Sequence, residues 1–191
     1  TAHWEAADRL TVYDSTQAVT LVQQTLAALL GLRQEQVRVV CKFIGGGFGS
    51  KSSVWPHTVL ATLAAKAVQR PVKLVLTRPQ NFTGLGHRED QTQTISLGAT
   101  RAGKLMAIVH EKTSTTSPFD NYAETNGEIM SWLYACDNYQ TSYRLAKGNT
   151  MTPTYMRAPG ESPGSFAIEC ALDDLAYELG LDPLEIRLRN Y

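Results

Sequence analysis

Apolar positions along this chain alternate between strand and helix spacing. Residues 10–13, Leu-Thr-Val-Tyr, read as a short strand. Over residues 18–30, Val19, Val22, Leu26, Leu29 and Leu30 fall at helical spacing, and Gly31 is placed to end that helix. Residues 37–44 are β-branched and aromatic, are followed by glycine, and read as a strand. The residues after Lys51 read as a helix, alanine-rich over 58–68 and ended by Arg70-Pro71. Residues 71–76 read as the next strand. Residues 91–97 alternate polar and apolar, residues 105–112 do so in part, and Ala102-Gly103 turns between them, which predicts a hairpin. Residues 113–153 are rich in turn formers. Ile168, Leu172, Leu175 and Leu179 share one face of a helix predicted over 165–179. Asp182 is placed to cap a last helix with Pro183 at its first position. Strands and helices alternate early and a hairpin comes later, so the fold class predicted is α+β, a mixed β-sheet with packed helices, rather than a doubly wound sheet.

The length of 191 residues suits one domain, residues 1–191, with a real core. Lys plus Arg equals Asp plus Glu, 18 each, which removes the electrostatic case for nucleic acid or an acidic membrane surface. No apolar run approaches the roughly 18 residues of a membrane span. Cys41, Cys136 and Cys170 are far apart with no Cys-x-x-Cys, which argues against an iron–sulfur or zinc site in this chain. Cys41 in a predicted strand and Cys170 in a predicted helix are expected to be buried free thiols. His57 and His87 flank the glycine-rich segments, and no His pair has metal-ligand spacing.

The candidate chemistry lies in Gly45-Gly46-Gly47-Phe48-Gly49-Ser50-Lys51. Three adjacent glycines after a strand open backbone conformations closed to other residues and clear side chains away from main-chain N–H groups. Such a loop can cradle an anion or an oxo group, or it can be a tight turn with no ligand. The spacing of a phosphate loop is met at Gly45 and at Lys51-Ser52, but Ser50 stands where its second glycine belongs. The dinucleotide fingerprint lacks its third glycine and its acidic partner.

A second motif, Tyr155-Met-Arg-Ala-Pro-Gly-Glu-Ser-Pro-Gly-Ser-Phe-Ala-Ile-Glu-Cys-Ala-Leu-Asp-Asp-Leu-Ala176, resembles the arginine loop and following helix of the molybdenum hydroxylases, the xanthine dehydrogenase and aldehyde oxidase family. The segment from Gly45 to Lys51 resembles that family's other molybdopterin loop, and Asp14-Ser-Thr-Gln17 its glutamine-bearing turn. Thr83-Gly-Leu-Gly-His-Arg88 and Ala102-Gly-Lys-Leu105 also follow the pattern. The likeness runs from about residue 11 to residue 190, and Arg157-Ala-Pro-Gly-Glu-Ser-Pro-Gly164 is most similar to the bacterial aldehyde and isoquinoline oxidoreductase branch.

The resemblance implies a molybdenum-dependent oxidoreductase acting on aldehydes or N-heteroaromatic rings, with water as the oxygen source. It implies molybdopterin, in its cytosine dinucleotide form for this branch, carrying the molybdenum with no protein side chain on the metal. It also implies iron–sulfur clusters and FAD on separate partner subunits, and a cytoplasmic or periplasmic setting in a bacterium. Residue by residue, the cofactor contacts implied are Gln17, Gly46, Gly47, Phe48, Gly49 and Arg157. Phe48 would act through its backbone N–H, Gln17 through its side-chain amide and Arg157 through its main chain. Gln17 also reads as an ordinary turn residue, and Arg157 as a surface arginine. Ser52 and Pro159 stand at substrate-pocket positions where purine-oxidising members carry a glutamate and a phenylalanine. Residues 128–136 also lack the arginine those members place before the turn that is Asp137-Asn138 here. All three departures point away from a purine.

The family's catalytic base is a glutamate in a Gly-x-Gly-Glu motif, and none occurs here, since His87 follows Gly84-Leu85-Gly86. The expectation is therefore a fragment of a longer subunit with no catalytic residue of its own, inactive alone. Glu161, in the loop, and Glu169, on the helix, do not align with the base. Two other readings stay open: a nucleotide-binding domain of phosphate-loop type, and a non-catalytic module that serves only subunit association.

Overall fold

In a computed structural model describing residues 1–191, the chain forms two compact units, Thr1–His87 and Arg88–Tyr191. The first contains β1 (Ala2–Ala6), β2 (Arg9–Tyr13), α1 (Val19–Leu30), β3 (Val37–Val40), α2 (Pro56–Val68) and α3 (Arg78–Gly84). Its sheet has the order β1-β2-β3, with β1 antiparallel and β3 parallel to β2. A parallel pair needs a crossover, and α1 supplies it. Val22, Leu26 and Ala27 of α1 pack with Leu10, Val12 and Val37 of the sheet and Ala61 and Ala65 of α2. Gly31 closes α1 in the left-handed conformation, φ 66°, with its N–H bonded to the Ala27 carbonyl. Leu29, at helical spacing in the sequence, faces solvent.

Two departures from the sequence reading share one cause. β3 stops at Val40 rather than continuing to Ile44, and residues 71–76 form only one bridge, Val72 to Ala2. Both segments have strand composition, but neither has a neighbouring backbone along its length, and pairing makes a strand. The glycine loop does not open a helix either: residues 48–51 form turns and α2 starts at Pro56. α3 was not expected, although Thr77 and Gln80 form the reciprocal cap of a helix start, with the Thr77 hydroxyl accepting from the Gln80 N–H.

The second unit contains β4 (Gln91–Ala99), β5 (Leu105–Thr116), α4 (Glu128–Leu133), β6 (Tyr139–Lys147), α5 (Glu161–Leu179) and α6 (Pro183–Asn190). β4 and β5 are the predicted hairpin, and β6 lies parallel to β5. Ile168, Leu172 and Ala176 of α5 are fully buried, with Ile168 and Leu172 packed on Leu105, Ile108 and Met130. Asp182 caps α6 as expected, accepting from the Leu184 and Glu185 N–H groups. Both sheets are mixed and carry helices, which is the α+β class read from the sequence. The buried face of β5 begins with Leu105 and Ile108 but continues as His110, Lys112, Ser114 and Thr116. Lys112 of this polar face pairs with Glu89 and donates to the Glu124 carbonyl within the same unit. No helix is long and apolar enough to cross a membrane.

Candidate functional site: two backbone loops

The first loop follows β3. Gly45, Gly46 and Gly49 take left-handed φ values of 65°, 87° and 96°, and Phe48, a non-glycine, takes 52°. Side chains rarely adopt this conformation, and Phe48 carries strain of about 1 kcal/mol there. The backbone N–H groups of Gly45, Gly46, Gly47 and Phe48 make no bond to another backbone group. The next N–H, on Gly49, donates to Oε1 of Gln17 at 3.0 Å. Gln17 stands at the start of the turn into α1, where its own N–H is tied to the Lys51 carbonyl at 2.8 Å. Its amide lies flat on Gly47: a Cβ there would sit 2.3 Å from Oε1 and 2.7 Å from Cγ. Gly47 itself does not have a positive φ. Glycine is required there to make room for Gln17. The Phe48 ring packs back over Gly46 and stays mostly exposed. Ser52 lies at the far end of the same turn, its N–H donating to the Gly49 carbonyl at 3.0 Å.

Gln17, Gly46, Gly47, Phe48, Gly49 and Ser52 thus form one cluster. The geometry does not suit a phosphate loop. Lys51, the residue that would reach phosphate, instead donates from Nζ to the Ser15 hydroxyl and the Ile44 carbonyl. The loop is also separated from α2 by four residues, so no helix N-terminus adds its dipole.

The second loop, residues 155–160, lies in the other unit and contains Arg157 and Pro159. Arg157 and Pro159 are exposed, and Gly160 is buried. Ala158 and Gly160 on either side of Pro159 both have positive φ, 55° and 85°. Sequence reasoning missed what holds this loop. Oε2 of Glu124 accepts from the Gly160 N–H at 3.0 Å and from Nη1 of Arg88 at 2.6 Å. Nη2 of Arg88 donates to the Arg157 carbonyl at 2.7 Å. The Glu124 side chain is fully buried, as are those of Lys112 and Glu89, which form an ion pair beneath it. Lys112 also donates to the Glu124 carbonyl and to Oδ1 of Asn126. The phenol of Tyr122 stands beside Glu124, and its pKa is raised, first by burial and then by the Glu124 and Glu89 carboxylates. Arg88 ends the Thr83–Arg88 motif, but Glu89, Lys112 and Glu124 fall in no sequence motif, and only their burial shows their role.

The acids weighed in the sequence separate clearly. Glu169 is structural: it accepts from the Tyr134 phenol at 2.5 Å and from Nε of Arg187 at 2.6 Å. Burial, then the bond to Glu169, pushes the Tyr134 pKa up to about 12. Glu161 opens α5, and its Oε2 is buried without a hydrogen-bond partner. The thiol expectation is corrected. Cys41 lies just past the end of β3 and is half-buried, and Cys170 is on the outer face of α5 and exposed.

The model of the molybdopterin cofactor-binding domain family matches residues 1–191. The chain belongs to that family. It is 40% identical over 189 residues to the aldehyde oxidoreductase molybdenum-binding subunit PaoC of Escherichia coli K12, covering 99% of this chain and 26% of that protein. It is 33% identical over 193 residues to the xanthine dehydrogenase molybdenum-binding subunit of Escherichia coli O157:H7, again covering 99% of this chain and 26% of that one. Among solved structures, quinoline 2-oxidoreductase from Pseudomonas putida 86 superposes with a TM-score of 0.89 at 26% identity, over 99% of this chain and 25% of that one. The chain therefore spans about a quarter of the length of these relatives. The residues present suit the family's cofactor: a run of uncommitted N–H groups, a close approach kept open by glycine, and an amide whose NH₂ is not used by the loop.

Proposed function

We infer that this chain is the molybdopterin-binding portion of a longer molybdenum hydroxylase subunit that oxidises aldehydes or N-heteroaromatic rings. The observation that carries the reading is the seating of Gln17 on Gly47 with its oxygen bonded to the Gly49 N–H. That bond fixes which end of the amide faces outward, so Nε2 is presented as a donor beside the unpaired N–H groups of the loop. In this reading Gln17 and the N–H groups of Gly46, Gly47 and Phe48 hold acceptor atoms of the cofactor, and the main chain at Arg157 holds another. Gly49 serves by orienting Gln17. The bound cofactor would supply the redox chemistry, in which a substrate C–H becomes C–OH with oxygen from water and two electrons and two protons are released, one proton from the carbon and one from the water. These residues bind and orient, and exclude water by occupying the space around the cofactor.

The base that removes a proton is assigned to a glutamate outside this chain. The electrons are assigned to iron–sulfur clusters and FAD on partner subunits, and the pterin to its cytosine dinucleotide form. Ser52 and Pro159 are assigned to the substrate pocket. A hydroxymethyl group and a proline ring offer neither the carboxylate nor the aromatic face that would hold a purine. The test is metal and pterin analysis of the purified full-length subunit. Molybdenum near one atom per subunit, with CMP released on acid hydrolysis, is the expected result. A folded subunit with neither metal nor pterin overturns the reading.

A further inference from the structure

Three buried charged side chains are an expensive way to fill an interior. Replacing such a set by apolar residues of similar volume is often neutral or stabilising, whereas removing one partner is strongly destabilising. Stability alone gives no reason for Glu89, Lys112 and Glu124, each with a side chain fully out of solvent. Their arrangement does. Every polar part of Glu124 is engaged. Its N–H donates to Oε2 of Glu89 at 3.3 Å and its carbonyl accepts from Lys112. Its Oε2 takes both Arg88 and the Gly160 N–H, and the Tyr122 phenol stands 3.5 Å from Oε1. Arg88 is the one member of the set that is partly exposed, and its fork spans the loop. One nitrogen holds Glu124, and the other holds the Arg157 carbonyl. The two ends of the 157–160 segment are therefore tied to a single carboxylate–guanidinium pair.

The tied segment is strained. Ala158 holds φ 55° without being glycine, and a Cβ on Gly160 would come within 3.0 Å of the Thr125 backbone. Such conformations persist only where the surroundings over-determine them. We propose that Glu124 and Arg88, braced by Lys112 of β5 and by Glu89 ahead of β4, are positioning residues that set the main-chain geometry of the Arg157 loop for the cofactor. The inference rests on the molybdopterin reading given above. The fork geometry matters to it: lysine carries the same charge as arginine but cannot reach two acceptors in one plane.

The experiment uses the full-length subunit, purified with and without cofactor, in three forms: wild type, Arg88→Lys and Glu124→Gln. In the metal-free protein, amide hydrogen exchange reads the loop directly. Both variants should speed exchange at the Gly160 amide about tenfold, Glu124→Gln by replacing its charged acceptor with a neutral one and Arg88→Lys by releasing the guanidinium that holds that acceptor in place. Amides of the β4–β5 hairpin should keep their protection. In the loaded protein, molybdenum content should fall and the Mo(V) electron paramagnetic resonance signal should shift, which a merely structural role would not produce in a folded variant. Arg88 is partly exposed, so Arg88→Lys folds and decides the matter if Glu124→Gln does not. Unchanged Gly160 exchange in Arg88→Lys overturns the proposal. So does faster exchange accompanied by wild-type molybdenum content and a wild-type signal. A wild-type subunit without molybdopterin would instead overturn the functional reading, while the exchange comparison would still report on the loop.

Discussion

Gly47→Ala should separate what the glycine loop does for the fold from what it does for the ligand. The added Cβ would fall 2.3 Å from Oε1, 2.5 Å from Cδ and 2.7 Å from Cγ of Gln17, too close for any of them to stay. Gln17 is exposed, so the side chain can swing into solvent. The loss is the Gln17–Gly49 bond, about 1 kcal/mol for a hydrogen bond of this kind. Against it stands a gain of about 0.4–1 kcal/mol, because alanine at a position without positive φ narrows the unfolded ensemble. The net change in stability should be within about 0.5 kcal/mol of zero. With Gln17→Ala already made, the three atoms nearest that Cβ are gone, and Gly47→Ala should stabilise by about 0.4–1 kcal/mol. The two substitutions should therefore couple by about 1 kcal/mol, above the roughly 0.3–0.5 kcal/mol within which independent sites add. Urea denaturation of the four proteins of the cycle measures this. Molybdenum content of the full-length subunit should nevertheless fall sharply in Gly47→Ala. Additive stabilities would show that Gln17 does not rest on Gly47. Wild-type molybdenum in Gly47→Ala would show that the placement of Gln17 is irrelevant to the cofactor.

Gly164→Ala should behave differently, because its Cβ would meet the Asn126 carbonyl at 2.2 Å, which is backbone. Overpacking of about 1–3 kcal/mol should appear as a lower denaturation midpoint, and a neutral result would contradict the packing of α5. His110 is buried, with a pKa lowered first by burial and then by Lys112. Gln93 donates to the Pro163 carbonyl, which turns its Oε1 toward Nε2 of His110, so the neutral ring carries its proton on Nε2 and accepts from Thr141 at Nδ1. A lowered pKa contributes stability that is complete above the unfolded value of 6.5 and is lost as pH falls through the folded value. Melting temperatures recorded from about pH 7 to about pH 5 should drop in the wild type and drop less in His110→Asn, and equal slopes would refute the assignment. The 191-residue chain alone should oxidise no aldehyde or heterocycle, and dye-linked aldehyde oxidation by it would disprove the placement of the base elsewhere. On the assembled enzyme, kcat/KM for benzaldehyde or isoquinoline should exceed that for xanthine by a factor on the order of 10⁴, and xanthine as the best of the three would refute the roles given to Ser52 and Pro159.

Where the chain's own periodicity carries the information, the sequence shows the structure. The α1 helix with its Gly31 terminus, the β4–β5 hairpin and the Asp182 cap are examples. It is silent where the deciding partner is remote. Residues 41–44 and 73–76 have strand composition and no strand beside them. The second half of β5 hides its inward face because His110, Lys112, Ser114 and Thr116 point into a polar interior, so alternation of apolar with polar disappears. The same interior hides Glu124, whose importance comes from Arg88 and Gly160, each 36 residues away. In the first loop the glycines were conspicuous, but the reason for one of them, the Gln17 amide lying across Gly47, is a tertiary fact.

The orientation of Gln17 also gives the first loop a chemical sign. With Oε1 occupied by the Gly49 N–H, the free group of the Gln17 side chain is its NH₂, a donor that joins the uncommitted backbone N–H groups of residues 45–48. Donors gathered in this way suit oxo, sulfido or carboxylate groups. Glutamate at position 17 would still satisfy Gly49 yet place a negative oxygen where a donor now stands. A single exchange of an NH₂ for an O⁻, leaving shape and stability almost untouched, would invert what the loop can recognise.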